Sequence, residues 1–198
     1  MKLTSLDELF LHELKDLYDA EHQLLEALPK MAKAATEPEL TTAFEKHLAE
    51  TRTQVTRLKE VFAECGEDPE REECDGMKGL IEEGEKMMEE ADEPSVRDAA
   101  LIAAAQKVEH YEIATYGTLI TWAQTAGFSS AQELLQTSLE EEKAADEKLT
   151  DIAESGVNAS AENEDQDEAE EGASRPAARS TTASRTSSAP ARSRRAKK

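Results

Sequence analysis

Four stretches of this chain repeat apolar residues at alternating steps of three and four, and each repeat carries a carboxylate near its middle. That spacing lays a single apolar stripe along an α-helix, the face a helix buries. The first stripe reads Leu6, Phe10, Leu14, Leu17, Glu21, Leu24, Leu28, Met31. The second reads Leu40, Phe44, His47, Glu50 or Thr51, Gln54, Leu58, Val61, and the last Leu135, Leu139, Glu142, Asp146, Leu149, Ile152. The third helix, from about Val96 to Ala126, carries Glu109 and Glu112 one turn apart. A charge on a core stripe is costly unless it is paired or bound to a cation.

Punctuation between the stripes sets the topology. Ser5-Leu6-Asp7-Glu8 is a capping box that opens the first helix. Thr36-Glu37-Pro38-Glu39 stops it and starts the second, which runs to Gly66. Gly127 ends the third helix, and Ser130-Ala131-Gln132-Glu133 caps the fourth, which Gly156 ends. A connection of about thirty residues joins helices two and three, with a short helix over Met77 to Ala91. No hairpin signal or alternating strand interrupts the pattern. The chain therefore predicts an all-α, ferritin-like four-helix bundle: two antiparallel hairpins joined by a long crossover that contains a short helix.

Charge divides the chain. Lys and Arg number 23 and Asp and Glu 44, a net of −21 over 198 residues. Residues 162–171 hold seven acids and no base, and residues 173–198 hold eight bases and no acid. The first 161 residues keep a net charge of −22. Residues 1–157 are read as the bundle and 158–198 as a disordered tail, acidic and then basic, too poor in apolar residues to offset its ordering entropy. The acidic body excludes direct nucleic-acid binding by the bundle, leaving contact with nucleic acid or a partner to the basic tail. The longest uncharged apolar run, Ala99 to Ala105, is too short for a membrane span. The N-terminus has no signal-peptide pattern, so a cytoplasmic protein is expected, with Cys65 and Cys74 as free thiols.

Axial level tests whether the carboxylates meet. A helix rises about 1.5 Å per residue, so partners in an antiparallel hairpin lie equally far from the loop. By that rule Glu21 faces Glu50, Glu112 faces Glu142, and Glu109 faces Asp146. His47 shares a face with Glu50 one turn away. The candidate metal ligands are thus Glu21, His47, Glu50, Glu109, Glu112, Glu142 and Asp146. Oxygen donors with an imidazole suit iron or manganese better than zinc or copper. His22 and His110 each follow a candidate Glu by one residue and point about 100° away. Lys107 and Lys143, the bases nearest the stripes in sequence, belong to the exposed faces.

The runs Glu13-Leu14-Lys15-Asp16-Leu17-Tyr18-Asp19-Ala20-Glu21, His47-Leu48-Ala49-Glu50-Thr51, Gln106-Lys107-Val108-Glu109-His110-Tyr111-Glu112-Ile113 with Tyr116-Gly117-Thr118-Leu119, and Leu139-Glu140-Glu141-Glu142 resemble the YciF-type ferritin-like proteins. The resemblance covers about residues 3 to 155. It implies a stress-associated bundle related to ferritins and rubrerythrins, paired as a homodimer. The wider superfamily places Glu-x-x-His on two helices; here that pattern is absent, and His47-x-x-Glu50 reverses it. Two expectations follow. One is a di-iron site, two ions per chain with manganese as the other candidate, that reduces peroxide or oxidises ferrous iron. The other is a non-enzymatic structural stress protein whose tail contacts nucleic acid or a partner.

Overall fold

In the computed structural model, residues 2–163 are described, and every regular element among them is helical. Helix α1 spans Leu6–Ala34, α2 Pro38–Glu64, α3 Asp75–Glu90, α4 Pro94–Ala126 and α5 Ser129–Ile152. Ser5 caps α1 as its sequence demands, accepting from the Glu8 amide at 3.2 Å. Pro29 lies inside α1, which runs through it to Ala34. Pro38 and Pro94 sit in the first turns of α2 and α4, where a missing N–H is harmless. No side-chain cap forms at α5: it starts at Ser129 behind Phe128, one residue before the expected box. Gly127 ends α4 in the left-handed region at φ 84°, letting Phe128 N–H return to the Ala123 carbonyl at 2.9 Å.

Helices α1 and α2 pack as one antiparallel hairpin and α4 and α5 as another, and the hairpins meet along α1–α4 and α2–α5. Each helix thus has two antiparallel neighbours. The end of α1 is tied to the start of α4 by buried Asp98, which accepts from Thr36 N–H (2.8 Å), Thr36 O–H (2.6 Å) and Glu37 N–H (2.8 Å). The end of α5 meets the start of α2 through Lys148 and Glu39. The crossover starts low on α1, where Glu72 N–H reaches the Lys15 carbonyl and Cys74 N–H reaches Asp19. Helix α3 then climbs over the α1–α4 seam, close enough that a Cβ on Gly84 would stand 3.0 Å from that of Ala104.

The core is aliphatic, with Phe10, Phe62 and Tyr116 its largest buried side chains. Gly156 breaks the last helix as expected: its backbone leaves helical geometry at φ 176° and ψ −30°, and the kink there separates α5 from a short helical stretch over residues 158–163. Val157 is 5% exposed, and burying it against α4 favours continuing the chain along the bundle. The expected tail beyond residue 163 lies outside the described residues. No described helix is long and apolar enough to cross a membrane.

Candidate metal centre

The stripe carboxylates converge. His47 on α2, Glu109 and Glu112 on α4 and Glu142 on α5 each direct a ligand atom to one point, all within 4.8 Å of one another. All four are buried, and Glu112 and Glu142 are fully so. His47 Nε2 lies 3.4 Å from Glu109 Oε1 and 3.6 Å from Glu142 Oε2. Glu21 on α1 is equally buried and is held by the Tyr116 hydroxyl, which donates to its Oε1. The Gln54 side chain donates to Glu142 Oε1 and, at 3.1 Å, to Glu141 Oε2. Arg57 forks onto Glu141 at 2.9 and 3.0 Å.

These contacts leave many polar atoms unmatched. Glu21 Oε2, Glu109 Oε2, both oxygens of Glu112, Glu142 Oε2 and both nitrogens of His47 are buried without a hydrogen-bond partner. The electrostatics follow from that isolation. Burial, then repulsion from Glu142, push Glu21 up to about 8, against the Tyr116 hydrogen bond. Burial likewise raises Glu109, Glu112 and Glu142. For His47 burial alone would lower the pKa, but Glu109, Glu50, Glu142 and Glu21 outweigh it and push it up to about 10. Without a cation the cluster therefore holds protons that isolated side chains would release at neutral pH.

Two sequence-derived ligands stand apart. Glu50 is not level with Glu21 inside the bundle; Thr51 and Gln54 take the interior positions, both fully buried. Residues 47, 51 and 54 share a face at steps of four and three, whereas Glu50 is rotated outward. It accepts from Lys46 at 2.8 Å and lies 3.8 Å from His47 Nδ1, too long for a hydrogen bond. Asp146 does not meet Glu109. It accepts from Gln106 at 3.3 Å and pairs with exposed His110 at 3.5 Å. Lys107 is exposed as expected, paired with Glu83 of α3. His22 also lies off the site, its ring edge-on to Tyr18 at 4.7 Å.

Three polar supports complete the site. Gln54 stands on the stripe, where its position is legible in sequence but its partner is not. Tyr116 reads from sequence as core packing or as a donor to a site carboxylate, and the structure has it donating to Glu21. Arg57, one turn beyond Gln54, is a base at the edge of the site that the stripes do not mark; its guanidinium also reaches Ser138 Oγ at 2.6 Å.

Comparison with known proteins agrees with this architecture. Protein YciF of Escherichia coli strain K12 is 49% identical over 164 residues, which cover 82% of this chain and 99% of that one. The crystal structure of the E. coli stress protein YciF superposes with a TM-score of 0.76 at 48% identity, covering 79% of this chain and 99% of its own. YcfI from Rhodopseudomonas palustris gives 0.74 at 44% identity, over 75% and 95% of the two chains. A Xanthomonas campestris protein at 22% identity shares the fold alone, with a TM-score of 0.64 over 81% and 99%. The family described as "Domain of unknown function (DUF892)" matches residues 5–162. The chain belongs to that family, as a relative of the YciF stress protein.

Proposed function

We propose that the bundle holds two divalent cations, iron before manganese, among Glu21, His47, Glu109, Glu112 and Glu142, and uses them to oxidise ferrous iron or reduce peroxide. One observation carries this reading: seven oxygen and nitrogen atoms of these five residues are buried without a hydrogen-bond partner. Each such atom costs about 1–3 kcal/mol, more when charged, and a cation satisfies several at once. Four carboxylates match the charge of two divalent ions and leave His47 as a neutral ligand. The oxygen-rich set suits iron and manganese.

When bound, such a metal pair supplies Lewis-acid and redox chemistry to a small oxygen species. The chain's own residues orient the donors. Tyr116 holds one oxygen of Glu21 and Gln54 one oxygen of Glu142, leaving the second oxygen of each free. Glu50 and Asp146 flank the centre from the rim, Glu50 beside His47 and Asp146 beside Gln106. The aliphatic core around them limits access by bulk water.

Anaerobic loading with ferrous iron, followed by metal counting, tests the reading. Near-stoichiometric uptake that Glu112→Gln abolishes is expected. Uptake below about half an equivalent, unchanged in the variant, removes it. The second reading is a structural bundle. It is favoured by the Tyr116 and Gln54 hydrogen bonds, which satisfy part of the cluster without metal, and by the description of YcfI as a candidate structural protein. It predicts a melting temperature indifferent to iron and manganese.

The homodimer, the cytoplasmic setting and contact between the basic tail and nucleic acid or a partner belong to this proposal. Light scattering on the full chain tests the first. A mobility-shift comparison with a version ending at residue 163 tests the tail, and equal behaviour of the two ends that idea.

A further inference from the structure

His47 and Glu109 each face two cavities, on different sides of the bundle. The first lies under α3, between Leu24 and Leu28 of α1, Ile81 and Met88 of α3, and Ala105 and Val108 of α4. Its polar lining sits at the two ends. Lys30 and Glu85 pair at 3.0 Å across the outer end, both well exposed, and His47 and Glu109 form the buried inner end. The second cavity lies between α2 and α5. Lys46, Glu50 and Lys148 stand in its lining among Ala43, Phe44, Ala145 and Leu149, and it reaches the same His47 and Glu109.

The cavities are similar in size and both mostly apolar, the second being the more polar of the two. Each has about 30 Å³ of free volume, where one water needs roughly 10–15 Å³. A molecule of two heavy atoms fits. Water needs two to four polar partners, and the aliphatic walls under α3 offer none between the two ends. An ion entering there would lose its hydration without compensation. Small residues keep the space open: Gly84 and Ala104 let α3 roof the α1–α4 seam closely, and Ala27 and Ala105 leave room beneath it.

We propose that the cavity under α3 takes up dioxygen, a small uncharged apolar molecule, and delivers it beside His47 and Glu109, while ionic and hydrogen-bonding reactants approach between α2 and α5. What the gas meets at the inner end rests on the metal reading above; the gas site itself does not. The crossover helix is then the roof of a reactant channel as well as a connection.

Xenon, an apolar stand-in for dioxygen, tests the cavity in the metal-free full chain. Saturable methyl shifts at Leu24, Leu28 and Val108 are expected in the NMR spectrum, and Ala105→Phe should abolish them. Ile81→Trp, at a partly exposed wall position, serves where Ala105→Phe fails to fold. Absence of those shifts in the wild type, or their persistence in the folded variants, overturns the proposal. The second arm compares oxidants in the ferrous-loaded chain. The blocking variants should slow oxidation by dioxygen at least about fivefold and leave oxidation by peroxide nearly unchanged. Equal slowing of both, or of neither, overturns the division of routes. A chain that takes up no iron defeats the metal reading, and the xenon arm then decides the cavity alone.

Discussion

Replacing Glu21 by Gln should move stability in opposite directions with and without metal. The variant keeps an oxygen that accepts from Tyr116 and removes the charge. In the folded chain Glu21 titrates at about 8 against an ordinary 4.5, so the folded state binds more protons than the unfolded state between those values. Its contribution to wild-type stability is therefore complete below pH 4.5 and declines as pH rises through the window to about 8. At about 1.4 kcal/mol per pH unit, keeping Glu21 neutral at pH 7 disfavours the fold by about 3 kcal/mol. Glu21→Gln lifts that penalty, for a gain of about 6–12 °C in Tm for a domain of this size. His47, raised to about 10, adds a decline in the same direction between pH 6.5 and 10, in both proteins. With metal the order reverses, because a ligand that binds only the folded state stabilises it, and the variant has lost a donor. Thermal melts at pH 5, 7 and 8.5, with and without anaerobic ferrous iron, decide the matter. A metal-free variant less stable than wild type at pH 7, with an unchanged gain from iron, would refute both the buried-charge reasoning and Glu21 as a ligand.

Other expectations concern the frame. Asp98→Ala leaves the Thr36 and Glu37 donors unmatched and should lower stability by about 2–3 kcal/mol, read by urea titration without change in metal uptake. Burial alone would raise Asp19, but the Cys74 amide, Gln23 and Arg71 hold it below its ordinary 3.8. It stabilises the fold above that value, and the benefit disappears as pH falls through its folded pKa. Asp19→Asn should therefore cost about 1 kcal/mol at pH 7, with the gap from wild type closing in acid melts. Adding salt from low to molar concentration should raise Tm, since the body's excess of acids repels itself and salt screens that repulsion.

The helices were legible because their signals are local. Pro38, Pro94 and Gly127 mark ends through their own backbone preferences, and the three-and-four stripes name the buried faces. Glu21, Glu109, Glu112 and Glu142 were recognisable for the same reason: each occupies a position its neighbours require to be apolar. The stripe left Glu50 and Thr51 open, since either lies within one step of the ideal phase, and only the packed interior chose Thr51. Gly156 was legible because glycine leaves helical geometry at little cost, and the chain kinks there before Val157 packs back against the bundle.

Sequence alone settled that this chain forms four long helices with acids on their inner faces, because helical periodicity depends on neighbours a turn away. Tertiary packing decided which acids meet. The loop-distance rule paired Glu109 with Asp146 and Glu21 with Glu50; side-chain interlocking between helices instead set His47 against Glu109 and Glu142, and sent Asp146 to Gln106. A shift of one residue along a helix moves a carboxylate by about 1.5 Å and turns it by about 100°, which separates a ligand from a rim charge. Contacts between residues 60 to 90 positions apart hold that register, as when Asp98 clamps Thr36 or Gln54 steadies Glu142.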